Sequence, residues 1–368
     1  MSKHKLRILV ICGRYGLSGV PLAQQRLAQL LADRGHNVTY MPLFANISLP
    51  SSSFNNYTTV VPGIDSVFKA IPFLIFYLAS NRFDIVFSAG DHLNSIVLLS
   101  LVFSLSNSKV CCSSRVTPFD TYHDYKKIFS PAWFIYWLIR LLSWRCTIFS
   151  CVSKDMSSQY KTFFPQLNFT PIYNPLHVDT RWRTQNNDWS NPFNPNCIPL
   201  LAVGSLEKWK GFDTLIKAVS YLPNPNKFHL IIVGDGSERA SLSNLIDHLH
   251  LNKHVTLWGS SRVIVPFYSF ADIFILSSRV EGMPNVLLEA LAHECSVVST
   301  DCPTGPSELL SSGAGILVPV DDPQAMASAI QVLVTTPISA KKRMDALAPF
   351  SPSLLFKLYS ELLSEPML

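Results

Sequence analysis

The sequence predicts an α/β protein of two Rossmann-like domains, each a parallel sheet wrapped by helices. Three observations carry this. The chain has 368 residues, two to three times the usual length of one domain. Short β-branched or aromatic runs alternate with longer helical patterns, the signature of βαβ units. That series occurs twice, and the stretch separating the two copies reads as neither strand nor helix.

In the first half the strands are expected at 6–12, 38–41, 84–88, 109–113, 147–152 and 171–173. In the second half they are expected at 198–203, 229–233, 255–258, 273–276, 296–300 and 315–318. Positions 179–196 are dense in Asn, Asp and Pro and end Asn191-Pro192-Phe193-Asn194-Pro195-Asn196, a composition that favours turns. The expected organisation is a first domain at 1–178, a linker at 179–197, a second domain at 198–348 and a C-terminal helix at 349–368. The helical stripe of that tail, Leu354, Leu355, Leu358, Leu362 and Leu363, suits packing on either domain. No repeat of solenoid period is present.

Hydrophobic residues make up 48% of the chain, enough for two cores, but charged residues only 15%, against about 25% for an average globular protein. With a mean hydropathy of +0.22, this points to apolar surface beyond what the cores need, as a membrane surface or a lipidic substrate would explain. The net charge of +5 is spread out, without the basic run of a nucleic-acid tail. It suits anionic small molecules or anionic lipid. The eight cysteines show neither paired C-x-x-C nor His/Cys ligand spacing, and the apolar run at 8–12 has strand length rather than the length of a secretory signal. They read as reduced thiols of a cytoplasmic protein. The longest apolar stretches, 71–79 and 96–105, fall short of the roughly 18 residues of a membrane span. One segment suggests attachment to the cytoplasmic face of the inner membrane instead: Trp133, Trp137, Arg140 and Trp144 fall on one helical face, with Lys126 and Lys127 upstream. The same pattern also fits a buried crossover helix.

The most informative segment runs from Ser277 to Ala290. It follows a strand and opens a helix, with Pro284 suited to the first helical position and Gly282 allowing close approach to the backbone. The N–H groups of Gly282, Met283, Asn285 and Val286, with the positive end of the helix dipole, suit a diphosphate. Glu281 and Glu289 bracket the turn, and a carboxylate accepts bidentately from vicinal hydroxyls. Standing alone, such a pair is more often a solvated helix face. A second segment, Gly204 to Asp213, again joins strand to helix. Asp213 is the expected N-cap, Leu215, Val219 and Leu222 the buried stripe, and Lys210 stands just before the helix. A third, Gly234-Asp235-Gly236-Ser237-Glu238-Arg239, lacks the last glycine of a dinucleotide fingerprint and the acidic residue on the next strand. Gly13, Gly16 and Gly19 also follow a strand without that acid, so a nicotinamide dinucleotide fits poorly.

Together, "LLAVGSLEKWKGFDTLIKAV", "LIIVGDGSERASL", "VTLWGS", "ADIFILSSRVEGMPNVLLEALA", "VVSTDCPTGPSELL" and "GILVP" resemble, in order and spacing over 198–322, the donor-binding domain of the retaining glycosyltransferases of family 4. "LADRGHNVTY", "CVSKDM" and "IYNPL" match the other half more loosely. The resemblance implies a GT-B architecture, two Rossmann-like domains facing each other across a cleft. It further implies that Lys210 contacts the donor diphosphate, Glu281 the transferred sugar and Glu289 the ribose hydroxyls, with Gly16 and Gly19 lining the cleft from the other side. Two departures stand out. Ser205 occupies the place of a phosphate-gripping arginine, which makes Lys208 the alternative cation, and Ser18-Gly19 replaces a glycine pair.

No D-x-D pair or ligand cluster marks a metal, so neither metal nor cofactor is expected beyond the nucleotide sugar itself. No nucleophile–base order is recognisable either, which favours front-face transfer with the leaving phosphate helping to deprotonate the acceptor. On the acceptor side the polar loops are 91–94, with His92, and 114–123, with Arg115 and His123. Ser114-Arg115 resembles bacterial members that extend lipid-linked saccharides. The expected activity is transfer of a UDP- or GDP-linked hexosyl or N-acetylhexosaminyl group to a saccharide or lipid-linked acceptor in cell-surface polysaccharide synthesis. A sugar-nucleotide epimerase and a non-catalytic nucleotide-sugar or lipid-binding protein are the alternatives.

Overall fold

Strands buried on both faces read as continuous apolar runs, and this chain has many. The computed structural model describes residues 5–15, 19–44, 56–117, 129–174, 176, 190–261 and 263–365. Gly16, Ser18, His123, Lys126, Lys127 and most of the expected linker lie outside the described residues. The chain divides into two units: Met1–Pro175 together with Phe350–Leu368, and Leu176–Pro349.

In unit 1 the order is β1 (Arg7–Cys12), α1 (Gly19–Asp33), β2 (Asn37–Pro42), β3 (Thr58–Thr59), α2 (Val67–Ser80), β4 (Ile85–Ala89), α3 (Asp91–Phe103), β5 (Lys109–Ser114), α4 (Pro131–Leu142), β6 (Ile148–Cys151), α5 (Lys154–Phe163) and β7 (Phe169–Pro171). All pairings are parallel, in the order β3-β2-β1-β4-β5-β6-β7. The two-residue strand β3 carried no apolar run and was not expected. The last strand lies two residues earlier than the sequence suggested, because Phe169 is the buried aromatic that anchors it against Phe149, at 5.3 Å between ring centroids.

Unit 2 contains β8 (Ile198–Val203), α6 (Phe212–Ser220), β9 (Phe228–Val233), α7 (Arg239–His248), β10 (Val255–Gly259), α8 (Val265–Phe270), β11 (Ile273–Leu276), α9 (Asn285–Ala292), β12 (Ser296–Thr300), α10 (Pro306–Leu310), β13 (Ile316–Val318), α11 (Pro323–Thr335) and α12 (Ala340–Leu347). Its strands are also parallel, in the order β10-β9-β8-β11-β12-β13. Leu200, Ala202, Leu230, Ile232, Ile273 and Ile275 point from the sheet into one core with Leu215, Val219 and Leu222, the stripe read from the sequence.

The tail does choose a partner. Helix α13 (Pro352–Leu363) belongs to unit 1, where Leu355, Phe356, Tyr359 and Leu363 share a core with Ile8, Val10, Leu27, Leu31 and Phe87. Tyr359 meets Phe87 edge to face at 5.1 Å, and the Arg34 guanidinium covers the Phe356 ring at 3.7 Å. Lys109 Nζ pairs with Glu365 Oε1 at 2.8 Å. Truncating a fully buried phenylalanine costs about 3–5 kcal/mol. Phe356→Ala should therefore speed hydrogen exchange in β1 and β4 by a matching amount and leave β8 and β11 as protected as in the parent chain, as read by mass spectrometry.

Candidate functional site

In an open parallel sheet, ligands bind beyond the carboxyl ends of the two strands at which the strand order reverses. Those strands are β1 and β4 in unit 1, and β8 and β11 in unit 2. The motifs read from the sequence fall at both places.

After β8 the chain passes Gly204 and the half-buried Ser205, makes one 3₁₀ turn at Lys208–Lys210 and reaches Gly211, the cap of α6. Gly211 has φ +62°, and a Cβ there would lie 2.1 Å from the Ser277 carbonyl oxygen. Only glycine lets this loop lie against the end of β11. Ser277 Oγ donates to the Lys210 carbonyl at 2.8 Å. Lys210 Nζ donates to Glu281 Oε1 at 2.6 Å, and the same oxygen accepts from Ser278 Oγ at 2.6 Å. The two charged side chains are only 19% and 11% exposed, so each is largely stripped of water and depends on the other for compensation. Lys208, in contrast, is exposed and makes no ion pair among the described residues.

Arg279 fastens the two loops together. Its backbone N–H donates to the Trp209 carbonyl at 2.7 Å, and its guanidinium donates to Asp321 Oδ1 at 2.8 Å, to Asp213 Oδ2 at 2.9 Å and to the Lys208 carbonyl. Hydrogen bonds to Asp213 and Asp321 hold this guanidinium above its ordinary pKa. The hydrogen bond from Arg279 in turn holds the Asp321 carboxyl below the usual range. A depressed carboxylate contributes stability above its unfolded pKa and loses it as the pH falls through the lowered folded value. Asp213 is thus an ion-pair partner in the first turn of α6 rather than the expected N-cap, a place taken by Gly211.

Beyond Glu281 the backbone is packed from behind. Thr304 Oγ1 donates to the Glu281 carbonyl, Met283 is buried, and a Cβ on Gly305 would come within 2.6 Å of the Gly282 carbonyl oxygen. Pro284 is the N-cap of α9, with φ −73° and ψ 100°, and not its first helical residue. Its extended ψ turns the chain, and its carbonyl accepts from the Leu287 N–H at 3.0 Å to start the helix. Asn285 and Val286 form the first turn, half-buried. Glu289 lies one turn further on and accepts from Tyr268 Oη at 3.0 Å, while the Tyr268 ring stacks on His293 at 5.4 Å. Cys302, 2% exposed, stays a thiol: burial, with the Glu281 carboxylate adding to it, pushes its pKa up to about 12. The Gly234-Asp235-Gly236 loop is a buttress. The Leu206 N–H donates to the Asp235 carbonyl at 3.0 Å, and the Glu238 N–H to the Leu206 carbonyl at 2.8 Å.

Unit 1 carries a cleft of about 680 Å³ at its own switch point, lined by Gly13 and Arg14 after β1, His92 after β4 and Arg115 after β5. Gly19 opens α1, whose Val20 and Pro21 reach the cleft wall. Arg115 Nη1 donates to Asn174 Oδ1. Burial lowers the His92 pKa, opposed by Asp91 and reinforced by Arg14. Asp91 is buried and accepts from Ser114 Oγ at 2.6 Å and from Tyr160 Oη. The structure therefore brings His92 and Arg115 to one cleft and, separately, Lys210 to Glu281, with Glu289 eight positions further along.

Helix α4 begins where Ser130 Oγ accepts from the Trp133 N–H at 3.0 Å. Ala132, Tyr136, Leu138, Ile139 and Leu142 face inward. Outward it shows Phe134, Trp137, Arg140, Leu141 and, just past its end, Trp144, which is 72% exposed. Trp133 is half-buried and stacks on Trp137 at 6.2 Å. The segment is thus a crossover helix, packed by one face and apolar on the other. Helix α2, which packs with α4 on either side of α3, adds the exposed Phe68 and Phe76.

Sequence reasoning gave no role to Arg279, Ser278, Tyr268 or Asp91. Ser278 carried a legible signal, a hydroxyl three residues before a site carboxylate. Arg279 and Tyr268 did not, since their side-chain partners lie 42 to 71 positions away for Arg279 and, at Glu289, 21 for Tyr268.

Residues 198–336 match the family described as glycosyl transferases group 1. Over 98% of this chain and the full length of the relative, it is 24% identical to the amylovoran biosynthesis glycosyltransferase AmsD of Erwinia amylovora. An uncharacterized glycosyltransferase of Methanocaldococcus jannaschii is 29% identical over 65% of this chain, which spans 61% of that relative's length. A Campylobacter jejuni enzyme named as an N-acetylgalactosaminyltransferase acting on a diphospho-undecaprenol-linked saccharide is 35% identical over 37% of each. Among solved structures, Anabaena HepE in complex with UDP superposes with a TM-score of 0.75 over 98% of this chain and 99% of its own, at 17% identity. WaaG, a glycosyltransferase involved in lipopolysaccharide biosynthesis, gives 0.74 over 96% and 99%, at 15% identity. The chain shares their fold of two parallel-sheet Rossmann-like units, that of GT-B glycosyltransferases, and within it residues 198–336 are a glycosyl transferases group 1 domain.

Proposed function

We propose that this protein is a glycosyltransferase of the retaining family 4 type, taking a sugar from a nucleotide diphosphate donor to a saccharide or lipid-linked acceptor in cell-surface polysaccharide synthesis. The observation that carries the reading is the enclosed Lys210–Glu281 pair at the switch point of unit 2, with the amino end of α9 three residues on. Departure of a nucleoside diphosphate leaves a dianion. A fixed cation beside a helix N-terminus is electrostatic preorganisation for that charge, present before the reaction begins. Glu281 holds the ammonium in place, contacts the transferred sugar and supplies negative charge near an oxocarbenium-like centre. Glu289, oriented by Tyr268, accepts from the ribose hydroxyls. Retention follows if the acceptor hydroxyl attacks from the leaving-group face, its proton passing to the departing phosphate. This scheme uses no metal and no cofactor. The relatives from Erwinia amylovora, Methanocaldococcus jannaschii and Campylobacter jejuni are named as glycosyltransferases or, in the last case, an N-acetylgalactosaminyltransferase, which favours transfer over epimerisation or binding alone.

The exposed indoles around α4 support a second part of the reading, attachment to an anionic membrane surface. Interfacial helices combine aromatic anchors with cations, and Trp137, Trp144 and Arg140 supply both.

Glu289→Ala should weaken binding of the cognate nucleotide by about 1.5–3 kcal/mol, the worth of hydrogen bonds to a charged group, with the melting temperature kept; calorimetry with UDP and GDP decides. Unchanged affinity would remove Glu289 from the site. Lys210→Ala should lower turnover by about 10²–10³, measured as nucleoside diphosphate released on adding acceptor, with EDTA making no difference to the parent enzyme. Normal turnover in the variant would move the phosphate contact elsewhere, Lys208 first. For the membrane, Trp137→Ser with Trp144→Ser changes only exposed side chains. The pair should abolish co-sedimentation with anionic liposomes, while co-sedimentation of the parent weakens with salt. Full sedimentation by the folded double variant would rule out this helix as the anchor.

A further inference from the structure

Glu289 does not stand alone at the edge of the unit 2 site. It lies half-buried on the second turn of α9, and its Oε2 accepts from Tyr268 Oη at 3.0 Å. Tyr268 comes from α8 and is 2% exposed. Its ring stacks on His293 at 5.4 Å with 7° between the planes, and lies against Phe274 at 5.7 Å. Its backbone carbonyl accepts from the Cys295 thiol at 3.4 Å. The hydroxyl is thereby held at one point, within 3.5 Å of the Val286 carbonyl in the first turn of α9. His293 is the C-cap of that helix, and its N–H donates to the Glu289 carbonyl at 3.0 Å. The stacked pair of rings therefore ties Glu289 twice, through its backbone and through its side chain.

A glutamate on a helix surface rotates about three side-chain bonds, and fixing it costs entropy. Two hydrogen bonds from vicinal hydroxyls need both carboxylate oxygens turned toward the ligand in one plane. A carboxylate rotated out of that plane keeps one of them. Its two oxygens offer about four lone-pair positions, so the Tyr268 hydroxyl can occupy one and leave an edge of the group for a diol. The plane is then set before a ligand arrives. The ordering takes place during folding, with burial of the tyrosine and its stack, instead of at binding.

We propose that Tyr268 is a positioning residue that makes the unit 2 site selective for a nucleotide with an intact ribose diol, by fixing the Glu289 carboxylate against its 2′ and 3′ hydroxyls. This rests on the nucleotide-sugar reading and adds a determinant of donor class, a carrier with vicinal hydroxyls. Tyr268 acts through Glu289.

The test measures binding of UDP and GDP, and of their 2′,3′-dideoxy forms, to the full chain by calorimetry. The parent should bind its ribonucleotide about ten- to a hundredfold more tightly than the dideoxy form, as loss of hydrogen bonds to a charged group implies. Tyr268→Phe keeps the ring and its stack and removes the hydroxyl. It should cut that preference by about threefold or more, the effect of one hydrogen bond, and leave affinity for the dideoxy form unchanged. A tyrosine that served the fold alone would lower both affinities together. In a Glu289→Ala background the same change should not alter the preference. Should Tyr268→Phe fail to fold, His293→Leu, which removes the stacked ring and leaves the hydroxyl and the carboxylate, should lower the preference in the same direction. A folded variant that keeps the parent's preference, that loses both ligands equally, or that still shifts the preference without Glu289 would overturn the proposal. Full preference in Glu289→Ala itself would overturn the ribose contact beneath it. Failure of the glycosyltransferase reading shows separately, as absence of thermal stabilisation by either nucleotide in the parent protein.

Discussion

Arg279 sets the geometry on which the unit 2 site depends. One guanidinium reaches Asp213 on the helix after the first loop, Asp321 beyond the last strand and the carbonyl of Lys208. Those contacts draw the Gly204–Gly211 loop and the Ser277–Pro284 loop into one surface, and Gly211 lets the two backbones touch. Lys210 can meet Glu281 only because both backbones are already held. The pair does not have to cover its own ordering entropy, which would offset most of the gain from an ion pair on free loops. A planar, permanently charged side chain suits this task, whereas lysine at the same position could not reach three acceptors in one plane.

Much of this was legible in the sequence. The strand runs 198–203, 273–276 and 296–300 coincide with β8, β11 and β12, because a strand buried on both faces leaves an unbroken apolar record. Gly204, Gly211, Lys210 and Glu281 stand out in the sequence for a different reason: each follows a strand at the switch point of its sheet. Capping was less legible. Pro284 and Asp213 both suit the first turn of a helix, and which residue caps depends on where the preceding loop is tied. Tyr268 behind Glu289 and Asp91 between two hydroxyls were beyond reach, since each role is created by a partner from another element.

The two switch points divide the chemistry by charge. In unit 2 a cation is already matched by a carboxylate, so the pair is close to neutral at its centre. In unit 1 the cations have no such match among the described residues. Burying a guanidinium without a counter-ion costs stability.

Helix α13 has a consequence for biosynthesis. Its Leu355, Phe356, Tyr359 and Leu363 complete the core of unit 1, yet they are encoded after the whole of unit 2. On the ribosome the first unit waits for its last wall while the second, continuous in sequence, can close. At typical elongation rates of about 5–20 residues per second, that wait lasts roughly ten to forty seconds. During it the apolar ends of β1 and β4 have no helix over them, and the nascent chain offers that groove to chaperones or to other chains. Vectorial synthesis therefore reverses the order of maturation: the half made first is finished last.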